Sequence, residues 1–119
     1  LLRLFEKRKI SRHYVAVCNG ALTGGGTINL PISRHPKDRK KMSVQDSGRE
    51  AITHFTVKER FASFTYINVK LETGRTHQIR VHFAHRRNAL VGDQTYGKRL
   101  SLPRGASEEL IQIFKFPLL

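Results

Sequence analysis

Residues 64–82 read FTYINVKLETGRTHQIRVH, and they carry the clearest structural pattern of the chain. In residues 64–71 apolar side chains alternate with polar ones, which is typical of a strand with one buried face. Residues 73–74 form a turn, and Thr76 is placed to cap a helix that continues to Arg87. The stretch therefore predicts a strand–turn–helix unit built on an antiparallel sheet that is covered on one side.

The predicted helix carries apolar side chains on two of its sides. Ile79 and Phe83 share one face, whereas His77, Arg80 and Val81 share another. Because the apolar residues do not form a single stripe, we expect the helix to be packed on more than one side.

Polar groups are unusually dense in residues 72–82, which hold two Arg, two His and a Gln. At the start of a helix, backbone N–H groups together with Arg75 and Thr76 could bind a phosphate. Arg80 could point into a site and pair with a carboxylate. The alternative is a half-buried helix whose polar groups satisfy one another, and the residues alone leave both interpretations open.

Four other short runs have the composition of strands, being rich in β-branched, apolar or aromatic residues. They are residues 13–18, 27–30, 51–59 and 90–91. A turn at residues 19–20 follows the first run, and the glycines at residues 24–26 predict a hairpin turn.

Helices are also predicted near both ends of the chain. Leu1, Leu4 and Phe5 have helical spacing with no capping residue before them, so residues 1–9 resemble the last turns of a helix whose start is missing. Ser107, followed by two Glu residues, is placed to cap a last helix. The resulting order α, β, β, β, β, α, β, α predicts an α+β fold, a mixed but mainly antiparallel sheet with flanking helices.

The chain has 119 residues and a net charge of +13, from 22 Lys and Arg against 9 Asp and Glu. This length favours one domain, which buries roughly two thirds of the surface that its unfolded chain exposes. Polyanions relieve such an excess of positive charge. Nucleic acid is favoured over an anionic membrane as the partner, because no basic amphipathic helix stands out.

Cysteine and histidine usage argues against several kinds of site. Cys18 is the single cysteine, so neither a disulfide nor a cysteine-based zinc site is available, and the reducing cytoplasm is the expected compartment. Its apolar surroundings are typical of a buried thiol rather than a nucleophile. His77, His82 and His85 lack the i, i+4 spacing and nearby glutamate of helical zinc sites, so no metal is expected. No apolar run approaches the ~20 residues of a membrane span.

A basic segment at residues 34–41 is the first candidate for nucleic-acid contact, because flexible cations on a Pro-bounded loop can follow phosphates without exact register. Its five cations are Arg34, Lys37, Arg39, Lys40 and Lys41. The alternative is an ordinary solvated face, and the high net charge favours RNA or DNA contact.

Tyr14 is the second candidate for a role in binding. It lies in a predicted strand beside Arg12 and His13. Its ring is either part of the core with a satisfied hydroxyl or a platform on which a base stacks. The residues alone leave this choice open.

Three segments together resemble the pseudouridine synthases of the RluA/RluD family. Residues 72–82 (ETGRTHQIRVH) resemble the third sequence motif of that family. Residues 12–17 (RHYVAV) resemble its K/R-x-Y-x-A strand, and residues 90–97 (LVGDQTYG) resemble its G-D-x-x-Y-G turn. The resemblance runs in the right order over about residues 4–109, nearly the whole chain.

The resemblance implies an enzyme that isomerises uridine in large-subunit ribosomal RNA to its C5-glycoside, without metal or organic cofactor, after flipping the base out of its helix. It assigns Tyr14 to the active site, against the target uracil and assisting proton transfer. It assigns Arg80 to a salt bridge that positions the catalytic aspartate, and Ile79 to the apolar wall. Arg75 and His77 become candidates for contacts with RNA phosphates or a carboxylate.

One departure from the family concerns its catalytic aspartate, which lies in an H-R-L-D motif ahead of the tyrosine strand. This chain has no such motif, and its aspartates are Asp38, Asp46 and Asp93. Asp93 belongs to the turn motif, where a capping or turn role is expected. We therefore expect residues 1–119 to be one partial catalytic domain, without the H-R-L-D segment, an S4-type domain or the final strand.

Such a fragment is expected to bind RNA weakly, to be inactive alone and to self-associate through exposed sheet edges. The alternative from another class is a non-catalytic basic RNA-binding module associated with the ribosome. A DNA-binding protein is a weaker alternative, because it predicts a recognition helix and a dimerisation surface that the sequence does not offer clearly.

Overall fold

Seven strands and one helix form the part of the chain that the computed structural model describes, residues 4–6 and 12–97. In chain order the elements are β1 (Leu4–Glu6), β2 (His13–Asn19), β3 (Gly26–Asn29), β4 (Ile32–Arg34), β5 (Met42–Val44), β6 (Ile52–Arg60), β7 (Phe64–Leu71) and α1 (Gln78–His85). Among these residues, no helix has the length and apolar character that crossing a bilayer requires.

Five of these strands form one sheet in the order β1-β2-β7-β6-β3, and β4 pairs with β5 in a separate hairpin. Every pairing is antiparallel, which confirms the predicted α+β class. The strands predicted at residues 51–59 and 64–71 are confirmed to within one residue as β6 and β7. They pair with each other near the middle of the sheet, with a bulge between Val57 and Glu59.

The strands predicted at residues 13–18 and 27–30 are also confirmed, as β2 and β3. The turn after β2 contains Gly20 at a φ of 93°, a left-handed conformation that favours glycine. The run predicted at residues 90–91 is buried as expected, but it makes one isolated bridge, between Leu90 and Cys18, rather than a strand.

The core lies between one face of the sheet and helix α1. Ile67 and Val69 point from β7 into this layer and are 0% and 2% exposed. Ile79 and Phe83 of α1 belong to the same cluster. Phe83 meets Phe55 of β6 edge to face, with ring centroids 5.2 Å apart, a geometry that adds to the stabilisation from burial alone.

The opposite side of α1 is packed as well. Val81 is 4% exposed and forms a second cluster with Ile32 of β4 and Ala51 before β6. The helix therefore lies between the large sheet and the β4–β5 hairpin, which confirms that it is packed on more than one side.

The start of α1 differs from the prediction, since Thr76 does not cap it. The residue at the N-cap position is His77, which has a left-handed φ of 56° and makes no side-chain capping bond. Gln78, the first residue of the helix, instead bonds back to the turn that precedes it. Its Oε1 accepts hydrogen bonds from the Thr73 hydroxyl (2.8 Å) and the Arg75 N–H (3.0 Å). A buried amide thus stabilises the turn before the helix, whereas the exposed Thr76 was expected to cap the helix itself.

The helix also ends earlier than predicted, at His85 rather than Arg87. Arg87 has a left-handed φ of 66°, which no α-helix continues through. Its N–H donates to the carbonyl of Ala84 at 2.9 Å, so the last turn closes on itself.

Two predictions near the start of the chain are wrong. Residues 4–6 form the strand β1 rather than a helix, because the neighbouring strand β2 offers backbone partners at residues 14–16. Residues 24–26 do not form a hairpin turn, because the adjacent edges of β2 are taken by β1 and β7, and β3 pairs with β6. The helix predicted from Ser107 lies outside the described residues.

A buried polar network joins α1 to the sheet. The Nε2–H of His82 donates to the Leu30 carbonyl (2.8 Å), so Nδ1 is free to accept from the Thr53 hydroxyl (2.8 Å). The Gln78 amide donates to Thr53 Oγ1 (3.0 Å) and to the Ile52 carbonyl (3.1 Å). His82 and Thr53 are fully buried. Burial lowers the pKa of His82, and nearby His85 lowers it further against the opposing effect of the Leu30 carbonyl.

The strands β1 and β3 are the edges of the five-stranded sheet within the described residues. Unpaired edges are templates for association with another strand. Self-association through these edges stays a prediction, which size-exclusion chromatography with light scattering can examine.

The state of His82 predicts a loss of stability in acid. Because the native state disfavours its imidazolium, the unfolded chain takes up the proton first. This contribution to stability is complete above about pH 6.5 and is lost as the pH falls toward the native pKa. Urea unfolding at pH 8 and pH 5 measures it. The difference between the two pH values is expected to shrink in His82→Gln and to persist in His85→Gln, which alters an exposed histidine. An unchanged difference in His82→Gln would contradict the assignment.

Gly48 predicts a second, steric effect on stability. A Cβ at this position would lie 2.6–2.8 Å from the backbone of Ile32, so Gly48→Ala is expected to destabilise the fold by about 1–3 kcal/mol. Gly24→Ala is the matched control, because nothing lies within 4 Å of its added Cβ. Thermal melts of the two variants check this, and equal melting temperatures would show that the loop moves freely away from Ile32.

Candidate active site and RNA interface

Tyr14 lies on β2 opposite Val69 of β7, on the face of the sheet that α1 covers. It is half-buried and packs against the main core cluster, to which Ile79 also belongs. The core contact fits the first interpretation of Tyr14, and the partial exposure of its side chain leaves the second interpretation open. The proposed uracil-facing tyrosine and the proposed wall residue are thus attached to one cluster.

Arg80 forms a bidentate ion pair with Asp93. Its Nε donates to Oδ2 at 3.0 Å, and its Nη2 donates to Oδ1 at 2.9 Å. The Asp93 side chain is completely buried, and that of Arg80 is one-fifth exposed. Burial by itself would raise the pKa of Asp93, but the Arg80 donors and the backbone N–H groups of Tyr96 and Thr95 outweigh it and lower this pKa. The carboxylate is therefore held in its charged form.

The same carboxylate organises the turn that contains it. Asp93 Oδ1 accepts the backbone N–H groups of Thr95 and Tyr96, both at 3.1 Å. Its backbone carbonyl accepts the N–H of Gly97 at 2.9 Å. The turn role expected for Asp93 is confirmed. Arg80 does pair with a carboxylate, that of Asp93, and its role beside the catalytic aspartate stays a prediction.

Tyr96 connects this turn to α1 and to the β4–β5 hairpin, which we call the basic hairpin because residues 34–41 lie at its tip. Its hydroxyl accepts the backbone N–H of Met42 (3.0 Å) and shares a hydrogen bond with Nδ1 of His77 (2.6 Å). The Arg80 guanidinium lies over its ring, 5.0 Å from the centroid. One side chain therefore sets the relative positions of β5, His77 and Arg80.

The surroundings of His77 disfavour its charged form. Its Nδ1 shares a 2.6 Å hydrogen bond with the Tyr96 hydroxyl. Burial lowers the pKa of His77, the positive charge of Arg80 lowers it further, and Asp93 acts in the opposite direction. The prediction that His77 and Arg80 share a face is confirmed, because both contact Tyr96.

The basic segment at residues 34–41 forms the tip of the β4–β5 hairpin and is not part of the core. Arg34 belongs to β4, and its Nη1 donates to the Arg39 carbonyl at 2.6 Å. The Asp38 carboxylate accepts the N–H of Lys40 at 3.1 Å. These local bonds shape the loop, and Lys37, Arg39, Lys40 and Lys41 are held at the surface or nearly so.

Arg75 contacts different residues from those that surround Arg80. Its Nε donates to the Glu50 carbonyl at 2.7 Å. Together with Arg34 it lines a cleft between the hairpin and the turn before α1. The candidate residues thus fall into three groups, which are Tyr14 with Ile79, His77 with Arg80, and Arg75 with Arg34.

Cys18 is fully buried, and burial raises the pKa of its thiol to about 12, so it is not a thiolate at neutral pH. Both ring nitrogens of His82 form hydrogen bonds within the buried network. Within residues 4–6 and 12–97, no three His, Cys, Asp or Glu side chains are grouped so that they could hold a metal ion.

Sequence reasoning missed two elements of this site. Asp93 was expected to serve only its own turn, and Tyr96 was not singled out. The signal for both was the spacing G-D-x-x-Y-G itself, because an aspartate that caps a turn leaves a second oxygen for an arginine.

The family model for RNA pseudouridylate synthase matches residues 1–85. The chain belongs to this family, and the resemblance of its motifs to the RluA/RluD enzymes is confirmed.

Individual relatives narrow this assignment. Ribosomal large subunit pseudouridine synthase D of Xanthomonas campestris pv. campestris is 51% identical over 111 residues, covering 93% of this chain and 34% of that protein. The protein of the same name from Pseudomonas aeruginosa is 49% identical over 118 residues, covering 98% and 37%. Residues 31–36 (PISRHP) and 103–107 (PRGAS) resemble synthase D within the family, and these relatives confirm that likeness. The chain spans about a third of the length of the curated relatives it matches.

Solved structures agree with this fold. Human RNA Pseudouridylate Synthase Domain Containing 1 superposes with a TM-score of 0.67 at 28% identity, covering 72% of this chain and 40% of that one. Human RNA Pseudouridylate Synthase Domain Containing 4 gives a TM-score of 0.61 at 22% identity, covering 78% and 42%, and shows the fold alone.

The ion pair predicts a large effect of a small change. Asp93→Asn keeps the shape of the side chain but removes the charge opposite Arg80, so unfolding free energy is expected to fall by about 3 kcal/mol. Asp38→Asn, in the exposed basic loop, is the control and is expected to cost under about 0.5 kcal/mol. Chemical denaturation compares the two. A loss for Asp93→Asn no larger than that of the control would mean that the pair contributes nothing to the fold.

Proposed function

We propose that this chain is part of an enzyme that isomerises uridine to pseudouridine in large-subunit ribosomal RNA. Its family and the names of its relatives support the reaction and the substrate. The observation that carries the assignment is the state of Arg80. Asp93 takes its Nε and Nη2, and Nη1 makes no hydrogen bond to the described residues.

The reaction breaks the bond between N1 of uracil and C1′ of ribose and joins C1′ to C5 of the same base. The proton lost from C5 is balanced by one gained at N1, so the net change is an isomerisation. A carboxylate supplied by an H-R-L-D motif is the catalytic group that the resemblance implies. This chain has no such motif, and Asp93, the carboxylate that is buried among the described residues, is already paired. We propose that the 119-residue chain alone does not turn over.

In this proposal Arg80 is the positioning residue for the catalytic aspartate. A guanidinium with one side fixed by Asp93 and ring contact from Tyr96 has little freedom to turn. Its remaining Nη1 is suited to a second carboxylate that approaches from another segment. Tyr14 would lie against the target uracil, and Ile79 would form the apolar wall beside it.

The basic hairpin supplies the RNA-binding surface. Five cations, Arg34, Lys37, Arg39, Lys40 and Lys41, lie in β4 and the loop that follows it. Phosphate contacts of this kind give affinity that falls steeply with salt and carries no sequence information. Tyr96 ties the β5 strand of this hairpin to the Arg80 cluster. A bound RNA backbone would thus be held at a defined place relative to Arg80.

An assay of pseudouridine formation tests the proposal. The 119-residue chain is expected to bind a ribosomal RNA stem-loop without forming pseudouridine, as measured by nucleoside mass spectrometry. The same chain in a protein of the relatives' length, with an H-R-L-D segment ahead of it, is expected to be active. Arg80→Lys in that protein should lower kcat by about 100-fold, whereas Arg60→Lys, at the far end of β6, should not.

The alternative functions predict different results in the same assay. A non-catalytic RNA-binding module binds the stem-loop in both forms and modifies it in neither. A DNA-binding protein prefers a duplex DNA of equal length. Turnover by the 119-residue chain itself would overturn the role given to the H-R-L-D motif.

A further inference from the structure

A cleft of about 360 Å³ lies between the β4–β5 hairpin and the turn that precedes α1. Three of its lining residues are arginines, and three carry hydroxyl groups. They are Arg34, Arg49, Arg75, Ser33, Ser47 and Thr76. No aspartate or glutamate is among the residues that line it. Every charged residue of the cleft is therefore a cation.

The backbone around this cleft is tightly organised. The N–H of Ile32 donates to the Arg49 carbonyl, and the N–H of Arg49 donates to the Ile32 carbonyl, both at 2.9 Å. Gly48 packs directly on the Ile32 backbone, where no side chain would fit. Arg75 is fixed by its bond to the Glu50 carbonyl, next in the chain to Arg49. The three arginines thus stand on one framework, from segments far apart in sequence.

The positive charge of the cleft is not neutralised within the described part of the protein. The ion pairs among the described residues join His54 to Glu72 and Arg80 to Asp93. Arg34 and Arg75 donate to backbone carbonyls, which carry no net charge. Three guanidinium groups around one cleft repel one another until an anion enters.

We propose that this cleft binds a phosphodiester group of the RNA strand, with Arg49 as a ligand that the sequence did not indicate. The proposal rests on the RNA substrate of the proposed function and adds the place at which the backbone is held. Guanidinium groups match phosphate oxygens with paired N–H donors, and hydroxyl groups add further donors. Arg34 belongs both to this cleft and to the basic hairpin, so the two form one continuous cationic surface. A strand crossing that surface, rather than a free phosphate, is the favoured source of the anion.

Arg49→Gln and Arg60→Gln provide a matched test, because each removes one positive charge from an exposed arginine. Arg60 ends β6 and does not line the cleft. Fluorescence anisotropy with a labelled ribosomal RNA stem-loop measures the dissociation constant from 50 to 300 mM KCl. Arg49→Gln is expected to weaken binding by about fivefold to tenfold near 0.1 M salt and to reduce the salt slope by about 0.7–0.9. Arg60→Gln is expected to leave both nearly unchanged.

Each outcome decides for or against the cleft. Equal losses in the two variants would mean that only overall charge matters, and no loss in Arg49→Gln would remove the cleft from the interface. Arg49→Lys keeps the charge and serves if the glutamine variant does not fold; it is expected to bind RNA more weakly than the parent, because a lysine cannot bind a phosphate bidentately. Full affinity in Arg49→Lys would also contradict the proposal.

A calorimetric titration with inorganic phosphate separates the two sources of the anion. Binding of free phosphate that depends on Arg49, with RNA affinity unaffected by Arg49→Gln, would overturn the RNA assignment. The test is also distinct from that of the proposed function. If the longer protein forms pseudouridine but Arg49→Gln does not change RNA affinity, only the cleft proposal is refuted. If Arg49→Gln weakens RNA binding but neither the 119-residue chain nor the longer protein forms pseudouridine, only the proposed enzyme activity is refuted.

Discussion

The ion pair between Arg80 and Asp93 is the contact on which the rest of the candidate site depends. A buried carboxylate is stable only when donors surround it, and Asp93 receives them from the Arg80 guanidinium and from the turn it begins. That turn places Tyr96, whose hydroxyl joins His77 to Met42 of the hairpin. One charge therefore fixes the helix, the turn and the hairpin relative to one another, and Nη1 of the guanidinium makes no hydrogen bond to the part of the chain that the structure describes.

Helix α1 is short, and polar contacts position it as much as apolar ones do. Its eight residues would be a marginal helix in isolation. Burial of Ile79 and Phe83 stabilises the packing of the helix on the sheet. The hydrogen bonds that Gln78 and His82 make with the sheet side specify one register of the helix. Because a half-satisfied buried network costs more than an apolar one, the helix cannot slide along the sheet without penalty. This rigidity suits the positioning role that we propose for Arg80.

The distribution of charge separates two tasks. The buried pair of Arg80 and Asp93 is neutralised inside the fold. In contrast, the hairpin and the cleft beside it display cations with no carboxylate partner among the described residues. Unpaired surface cations lower the stability of the compact state through mutual repulsion and raise affinity for a polyanion. Their placement on one side of α1 fits a protein that receives an RNA backbone there.

The sequence by itself predicted the strands β2, β3, β6 and β7, the fold class and the family, because the alternation along β7 and the motifs around Tyr14 and Arg80 are local patterns. It also predicted a polyanion as the partner, because the net charge of +13 can be read without a structure. Only the tertiary structure decided which carboxylate pairs with Arg80, that Gln78 rather than Thr76 begins the helix, and that arginines distant in sequence meet in one cleft. These features depend on contacts between separate segments. A local sequence pattern does not indicate which distant residue folding will bring into contact. For the same reason, residues 4–6 form a strand despite their helical spacing, because β2 offers them backbone partners.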